Sequence, residues 1–173
     1  MTGMAYPNPN YNDFFLKGYV HGKFSLDVKH FEDYNYPDAN NPNADSRPKE
    51  ARSDLTELHL LIGQEYINKI FGRDYILKES GMWEGVDNGS HVWHNDAKNG
   101  KEFNTNFLIY MDENEIGLNS IGVRNKNDEY VIFPMKYDFM WLNQSSAFEH
   151  KASHNGGRRR VLSFEYKAYG LNN

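Results

Sequence analysis

The sequence predicts a mainly β protein with flanking helices, whose strands form a jelly roll, the cupin-like double-stranded β-helix. A helical apolar period is present before Gly72 but not after it, where the chain offers short β-rich segments separated by turns. The 173 residues include 12 Tyr and 11 Phe, so large rings can fill a core although the mean hydropathy is -0.82. This length predicts a single domain over residues 1–173, with the jelly roll over about 75–168 and a supporting segment over 11–73.

The first third of the chain alternates irregular and regular segments. Residues 1–12 are rich in Gly, Pro and Asn and predict an irregular arm, and Tyr34–Pro48 has the same chemistry. Between these segments, Phe14–Val20 predicts a strand and Ser25–Tyr34 predicts a short helix.

The clearest helical pattern precedes Gly72. Asp54 and Glu57 have the spacing of a capping box at its start, and Gly72 is suited to ending it. The apolar positions form a stripe of Leu55, Leu58, Leu61, Ile62, Tyr66, Ile67 and Ile70. Because a helix with one apolar stripe buries it against a neighbour, we expect this long helix to cover the outside of one sheet.

Eight predicted strands follow the helix, which is enough for two facing antiparallel sheets. They are Tyr75–Trp83, His91–Asp96, Asn104–Met111, Asn119–Arg124, Tyr130–Phe133, Tyr137–Leu142, Phe148–Ser153 and Arg159–Tyr166.

Charge and cysteine content argue against several functions. The net charge of -5 disfavours a broad attraction to nucleic acid or to anionic membranes, so neither is expected as a partner. The chain has 0 Cys, so a metal would have to be held by His and carboxylate side chains. There is no apolar stretch of bilayer length and no leader pattern at the first residues, which predicts a cytoplasmic protein.

The pair His94 and Asp96 is the most informative short motif. On a strand these two side chains project to the same side, where both could reach one metal ion. Such a pair also arises by chance, and His30 with Glu32 forms a second one. An ordinary surface turn therefore explains the pair equally well until residues further along the chain are considered.

Two downstream residues make the difference. His150 opens the penultimate predicted strand, and Arg159 follows nine residues later at the start of the last strand. With these residues in order, the stretch His91–Tyr166 resembles the 2-oxoglutarate and Fe(II)-dependent dioxygenases, and within them the prolyl 4-hydroxylase-like branch.

The resemblance implies a role for each residue of this pattern. It implies that His94, Asp96 and His150 hold Fe(II) and that Arg159 binds the far carboxylate of 2-oxoglutarate. Tyr110, sixteen residues after His94, has the place of a tyrosine whose hydroxyl contacts the same cosubstrate. The segment 133–138 resembles the proline-containing turn that precedes the distal histidine in this family.

Some assignments stay open at this point. Arg158, Arg159 and Arg160 are adjacent, and spacing favours Arg159 with Arg160 second, because only alternate residues of a strand face inward. His154 is an alternative to His150, although it leaves a short connection to the arginine strand. The family often has a Gly-Gly pair where this chain has Ile116-Gly117, so that loop is expected to differ.

The resemblance implies an oxygenase that hydroxylates an unactivated carbon, most naturally a prolyl residue in a peptide or protein. It implies Fe(II), 2-oxoglutarate and dioxygen as cofactor and cosubstrates, with ascorbate as a further candidate. Two alternatives remain: a hydroxylase of free amino acids or other small molecules, and a non-catalytic metal-binding jelly roll. A nucleic-acid demethylase is disfavoured, because Glu165 stands where that branch has a second arginine. The arm, Tyr34–Pro48 and Glu84–Ser90 are the candidate substrate-recognition loops.

Overall fold

The computed structural model describes residues 9–32, 53–85, 91–96, 103–115 and 118–168. The predicted loop 34–48, most of the predicted arm, the end of the predicted loop 84–90 and the Ile116-Gly117 departure lie outside the described residues.

The described helical elements are short, apart from one continuous helical segment over residues 53–71. They are α1 (Asp13–Leu16), a 3-10 turn (Lys29–Phe31), α2 (Ser53–Ile62), a π-helical turn (Gly63–Ile67) and α3 (Asn68–Phe71). No helix among the described residues has both the length and the apolar character needed to cross a membrane.

Within the described ranges, eight antiparallel strands form two sheets. The strands are β1 (Tyr19–Lys23), β2 (Tyr75–Gly85), β3 (Phe103–Tyr110), β4 (Asn119–Arg124), β5 (Glu129–Ile132), β6 (Asp138–Asn143), β7 (Glu149–His154) and β8 (Arg159–Ala168). The large sheet has the order β1-β6-β3-β8-β2 and the small sheet has the order β5-β4-β7. This mainly β arrangement with a covering helix confirms the predicted fold class.

Alternation along the strands separates two apolar layers. On β8, Leu162 and Phe164 belong to the core between the large sheet and the helices, whereas Val161 packs with Ile121 and Val123 of the small sheet. The second layer also contains Tyr110 and, from β6, Met140 and Leu142. On the large sheet, the side chains of Tyr110, Met140, Leu142 and Val161 therefore point towards the small sheet.

The helical segment 53–71 covers the opposite face of the large sheet, as predicted. His59 links it to β8, because its Nε2 donates to the carbonyl of Glu165 at 3.2 Å and its own carbonyl accepts from the Tyr166 hydroxyl at 2.8 Å. Burial lowers the pKa of His59 to about 4, so the ring is neutral at pH 7 and packs as an apolar ring.

The predicted apolar stripe is correct except at Leu61, which is 44% exposed, and it omits Phe71, which is buried. The π-helical turn accounts for the second difference. One additional residue within a turn rotates every later position by about 100°, which carries Phe71 to the core and leaves Ile70 at its border.

Two predictions for the N-terminal segment are wrong. Residues 14–20 do not form one strand: α1 buries Phe14 and exposes Leu16, and the strand begins only at Tyr19. The predicted helix Ser25–Tyr34 is reduced to the 3-10 turn, because the Asp27 carboxylate accepts the Lys29 N–H at 2.9 Å and directs the chain into a tight turn.

Gly18 forms the junction between α1 and β1, and no other residue suits it. Its φ is 86°, and a Cβ at this position would lie 2.4 Å from the Phe148 ring. The carbonyl of Gly18 accepts the N–H of Asn143 at 2.9 Å, so the junction is bonded to the residue that ends β6.

We expect Gly18→Ala to destabilise the protein by more than about 2 kcal/mol, since a left-handed residue costs about 1–2 kcal/mol and the ring contact adds to this. Gly72→Ala is the matched control, because Gly72 also has positive φ, 58°, but no atom within 4 Å of the added Cβ. Urea unfolding of both variants measures the difference, and equal losses would contradict the ring contact.

Candidate metal centre and anion site

Three predicted residues meet at one end of the small sheet. The donor atoms of His94, Asp96 and His150 all lie within 4.8 Å of one another. Asp96 Oδ2 is 3.2 Å from His150 Nε2 and 3.9 Å from His94 Nε2. Two ligands on neighbouring positions of a six-coordinate metal, each about 2.1 Å from it, lie about 3 Å apart. The cluster therefore has nearly the dimensions of one face of a metal site.

The His94 ring is oriented for ligation by Nε2. Its Nδ1 lies 2.8 Å from the carbonyl of Val92, which can only accept, so Nδ1 carries the hydrogen. The lone pair of the neutral ring is then on Nε2, the nitrogen that faces Asp96. Fixing the tautomer of a ligating histidine through its other nitrogen is the usual arrangement in metal sites.

A single pair of main-chain hydrogen bonds brings His94 to His150. His94 N–H donates to the His150 carbonyl at 3.1 Å, and His150 N–H donates to the His94 carbonyl at 2.9 Å. Directly opposed residues of an antiparallel pair project to the same face, and the two imidazole centroids are 4.3 Å apart.

The predicted strand His91–Asp96 is not formed, which corrects the sequence interpretation. The segment forms an isolated bridge at His94 and one further bond from His91 N–H to the Ala152 carbonyl, at 2.9 Å. It lies along the edge of β7 only as far as His94. The alternation predicted for a strand nevertheless holds locally, since residues 94 and 96 share the metal side.

Trp93 packs against the small sheet beside the cluster of His94, Asp96 and His150. A Cβ on Gly122 would lie 2.7 Å from the indole, so the absent side chain of Gly122 leaves the space that the indole occupies. Arg124 and Lys151 lie over the same ring, at 4.4 and 4.7 Å from its centroid. Trp93 is thus an anchor of this segment.

Asp96 and Asn95 are both bonded to the loop that joins β6 to β7. Asp96 Oδ2 accepts a hydrogen bond of 2.9 Å from Gln144 Nε2. Asn95 Nδ2 donates to the carbonyls of Ser145 and Phe148 at 2.9 and 2.8 Å. Sequence reasoning assigned no role to Asn95 or Gln144, because a side chain that bonds a distant loop leaves no periodic signal.

Arg159 and Tyr110 form a second polar site in the layer between the sheets. Arg159 is two residues before Val161 on β8, so the two share the inward face. The Arg159 side chain donates to the Tyr110 hydroxyl at 3.3 Å. Within the described ranges it forms no ion pair, and its buried Nε has no hydrogen-bond partner. A buried guanidinium with unused donors is suited to an anionic ligand.

The Tyr110 hydroxyl is a donor at neutral pH. Burial raises the pKa of Tyr110, although Arg159 beside it acts in the opposite direction. Because the hydroxyl oxygen accepts from Arg159, its own hydrogen stays available for an acceptor. The pair thus presents donors alone to a ligand carboxylate.

Arg160 projects to the other face and is engaged there. Its side-chain Nη2 lies 2.7 Å from Asp112 Oδ1, and its main-chain N–H donates to Asp112 Oδ2 at 2.7 Å. The guanidinium also donates to the carbonyl of Glu32. These contacts favour Arg159 over Arg160 as the residue that faces a ligand between the sheets.

Of the other five histidines, His91 lies beside the His94-Asp96-His150 cluster, with its ring centroid 6.0 Å from that of His94, and the other four lie apart from it. His154 is buried at the other end of β7 and packs against Gly85, where a Cβ would lie 3.2 Å from its ring. The second sequence motif is also separate, since His30 is exposed and lies 3.9 Å from Asp54. His59 is the neutral core residue described above, and His21 lies 3.0 Å from buried Asp138.

No protein-family model and no curated protein matches the sequence. Solved structures do match the fold. HygX from Streptomyces hygroscopicus, with nickel, 2-oxoglutarate and hygromycin B bound, has a TM-score of 0.67 at 12% identity, with 92% of this chain and 86% of that chain covered. A Trichoplax adhaerens prolyl hydroxylase in complex with a hypoxia inducible factor peptide has 0.63 at 14% identity, with coverage of 90% and 86%. A Pseudomonas putida prolyl-4-hydroxylase has 0.59 at 13% identity, with coverage of 92% and 97%.

These likenesses confirm the fold that the sequence resemblance implied. The chain has the same double-stranded β-helix fold as these two prolyl hydroxylases and HygX.

Proposed function

We propose that the protein is a 2-oxoglutarate and Fe(II)-dependent oxygenase that hydroxylates an unactivated carbon. The observation that carries the proposal is the convergence of His94, Asp96 and His150 on this fold, together with an inward Arg159 that has unused donors. A non-catalytic metal-binding module would need the cluster but not the buried guanidinium. Dioxygen is the remaining cosubstrate, and ascorbate is an accessory candidate.

The donor set suits ferrous iron. Two imidazole nitrogens and one carboxylate oxygen on one face leave the remaining positions of a six-coordinate metal open, the arrangement of non-heme iron oxygenases. His94 and Asp96 are partly exposed, with side-chain exposures of 34% and 43%, so a ligand can reach the cluster from solvent. His150 is the more buried ligand, at 14%.

Arg159 and Tyr110 would bind the far carboxylate of 2-oxoglutarate. The guanidinium supplies a permanent charge and a planar set of donors, and the tyrosine adds one neutral donor. Arg159 is 9% exposed and Tyr110 is 4% exposed, so both side chains are largely removed from water. Low local polarity strengthens the pairing of a carboxylate with the guanidinium.

When bound, Fe(II) with 2-oxoglutarate and dioxygen supplies the oxidising chemistry, which yields a hydroxylated substrate, succinate and carbon dioxide. The chain's own part is to hold the metal through His94, Asp96 and His150, to orient the diacid through Arg159, and to keep water out of the layer between the sheets.

For the substrate we propose a prolyl residue in a peptide or protein. Tyr110 at its offset from His94 and the fold shared with two prolyl hydroxylases support this choice. One observation favours a second candidate, a small-molecule hydroxylase: HygX, which is seen with hygromycin B, has a TM-score of 0.67 against 0.59 and 0.63 for those prolyl hydroxylases.

We expect Asp96→Ala and His150→Ala to lower succinate formation to background, since each removes one of three metal ligands. His30→Ala is the matched control, because it alters the other His-x-acid motif at an exposed histidine. Succinate is measured with Fe(II) and 2-oxoglutarate in air. Undiminished turnover by Asp96→Ala would remove the proposed iron site.

We expect Arg159→Met to raise the KM for 2-oxoglutarate roughly 100-fold, because losing a buried charged pair costs about 3 kcal/mol. Arg158→Met serves as control, since Arg158 is the exposed neighbour in the same run of three arginines. The KM is read from succinate release over a range of 2-oxoglutarate concentrations. A similar KM in both variants would exclude Arg159 as the diacid anchor.

A panel of proline-containing peptides, free amino acids and aminoglycosides separates the two substrate classes. We expect the peptides to increase succinate release above the level without substrate and to gain 16 Da, the mass of one oxygen atom, because hydroxylation inserts that atom. Mass spectrometry of each substrate provides the measurement. Hydroxylation confined to amino acids or aminoglycosides would establish the second candidate in place of the first.

A further inference from the structure

We infer that Gln144 and Asn95 are positioning residues for the metal centre, with Gln144 setting the orientation of the Asp96 carboxylate. The inference rests on the proposed function, because it gives these residues a role towards the same metal. It extends the site to the loop between β6 and β7, and thus to the large sheet.

The carboxylate of Asp96 needs an external constraint. It lies on a segment without regular structure, and its side chain is 43% exposed, so its two side-chain torsions are not fixed by packing. The hydrogen bond from Gln144 Nε2 selects the orientation in which Oδ2 lies 3.2 Å from His150 Nε2. Because an amide is neutral, it holds the carboxylate without competing as a cation for its charge.

Gln144 is itself rigidly held. It is 5% exposed and follows β6, where its main-chain N–H donates to the Asn104 carbonyl at 3.1 Å and continues the ladder with β3. The preceding residue, Asn143, accepts the Ser145 N–H at 3.0 Å and donates to the carbonyl of Phe14 at 3.0 Å. Because Gln144 is held by the large sheet, its amide donor has a fixed position and can fix the orientation of the metal ligand that it bonds.

Asn95 holds the backbone between the two ligands. Its Nδ2 donates to the carbonyls of both Ser145 and Phe148, which uses both amide hydrogens. Asp at this position would supply no donor, and Ala would release the segment from the loop. The side chains of His94 and Asp96 thus lie on the side of the proposed metal, while the side chain of Asn95 bonds the segment to the loop before β7. The middle residue of the motif therefore positions the two ligands on either side of it.

Residues that only stabilise the fold would make the same contacts. The test must therefore separate an effect on metal affinity from an effect on stability. We propose Gln144→Met, which keeps an unbranched side chain and removes the donor, with Gln64→Met as control. Gln64 is exposed on the helical segment that covers the other face of the large sheet. Asn95→Ala is a second, independent variant. Each is measured on the full chain.

The readouts are the Kd for Co(II), by calorimetry without 2-oxoglutarate, the visible spectrum of bound Co(II), and the melting temperature of the metal-free protein. We expect Gln144→Met to weaken Co(II) binding about 10–100-fold and to change the visible bands relative to Gln64→Met. We expect Asn95→Ala to weaken it by a similar factor. Neither change is expected from a loss of stability alone.

Two negative results have different meanings. If the unmodified protein binds no Co(II), the proposed function fails and the inference falls with it. If it binds Co(II) and Gln144→Met retains the affinity and spectrum of Gln64→Met, the inference is overturned while the proposed function stands. A lower melting temperature with unchanged Kd would likewise show that Gln144 and Asn95 only support the fold.

Discussion

The candidate site depends on two reciprocal main-chain hydrogen bonds, those between His94 and His150. They dock a segment with no regular structure against the edge of β7 and place two imidazoles on the same face of that pair. Two further contacts hold the segment in this position along β7. Trp93 packs over Gly122, and Asn95 donates a hydrogen bond to the loop before β7. A slip of one residue would turn both ligands of the His-x-Asp pair away from His150.

A second constraint decides which arginine is available to a ligand. Three arginines are adjacent, and strand alternation sends Arg159 and Arg160 to opposite faces. Asp112 neutralises Arg160 through its side chain and also binds its main chain, which holds the start of β8 in place. Arg159 is buried and donates to the Tyr110 hydroxyl. Among the described residues Arg159 has no ion-pair partner, and its charge faces the interior.

Much of the fold could be predicted, because apolar and polar residues alternate along most strands, each of which has one buried face. The stretch Asn119–Arg124 matches β4 at both ends, and the bounds of the other strands predicted after Gly72 differ by one or two residues, apart from His91–Asp96. The sequence of that segment does not show that it is irregular, because its side chains alternate as in a strand. In the structure only His94 forms a β-bridge, with His150. The N-terminal errors arose where short-range contacts, such as the Asp27 turn, override apolar pattern. Gln144 and Asn95 escaped prediction because their partners are brought close only by folding.

The central claim is that the cluster holds ferrous iron and that a keto diacid completes its coordination beside Arg159. The most direct measurement is an anaerobic absorption titration, in which Fe(II) and then 2-oxoglutarate are added to the protein. The account predicts a weak visible charge-transfer band that grows with 2-oxoglutarate and saturates at one equivalent of each per chain. A protein that shows no such band at saturating Fe(II) and 2-oxoglutarate would contradict it.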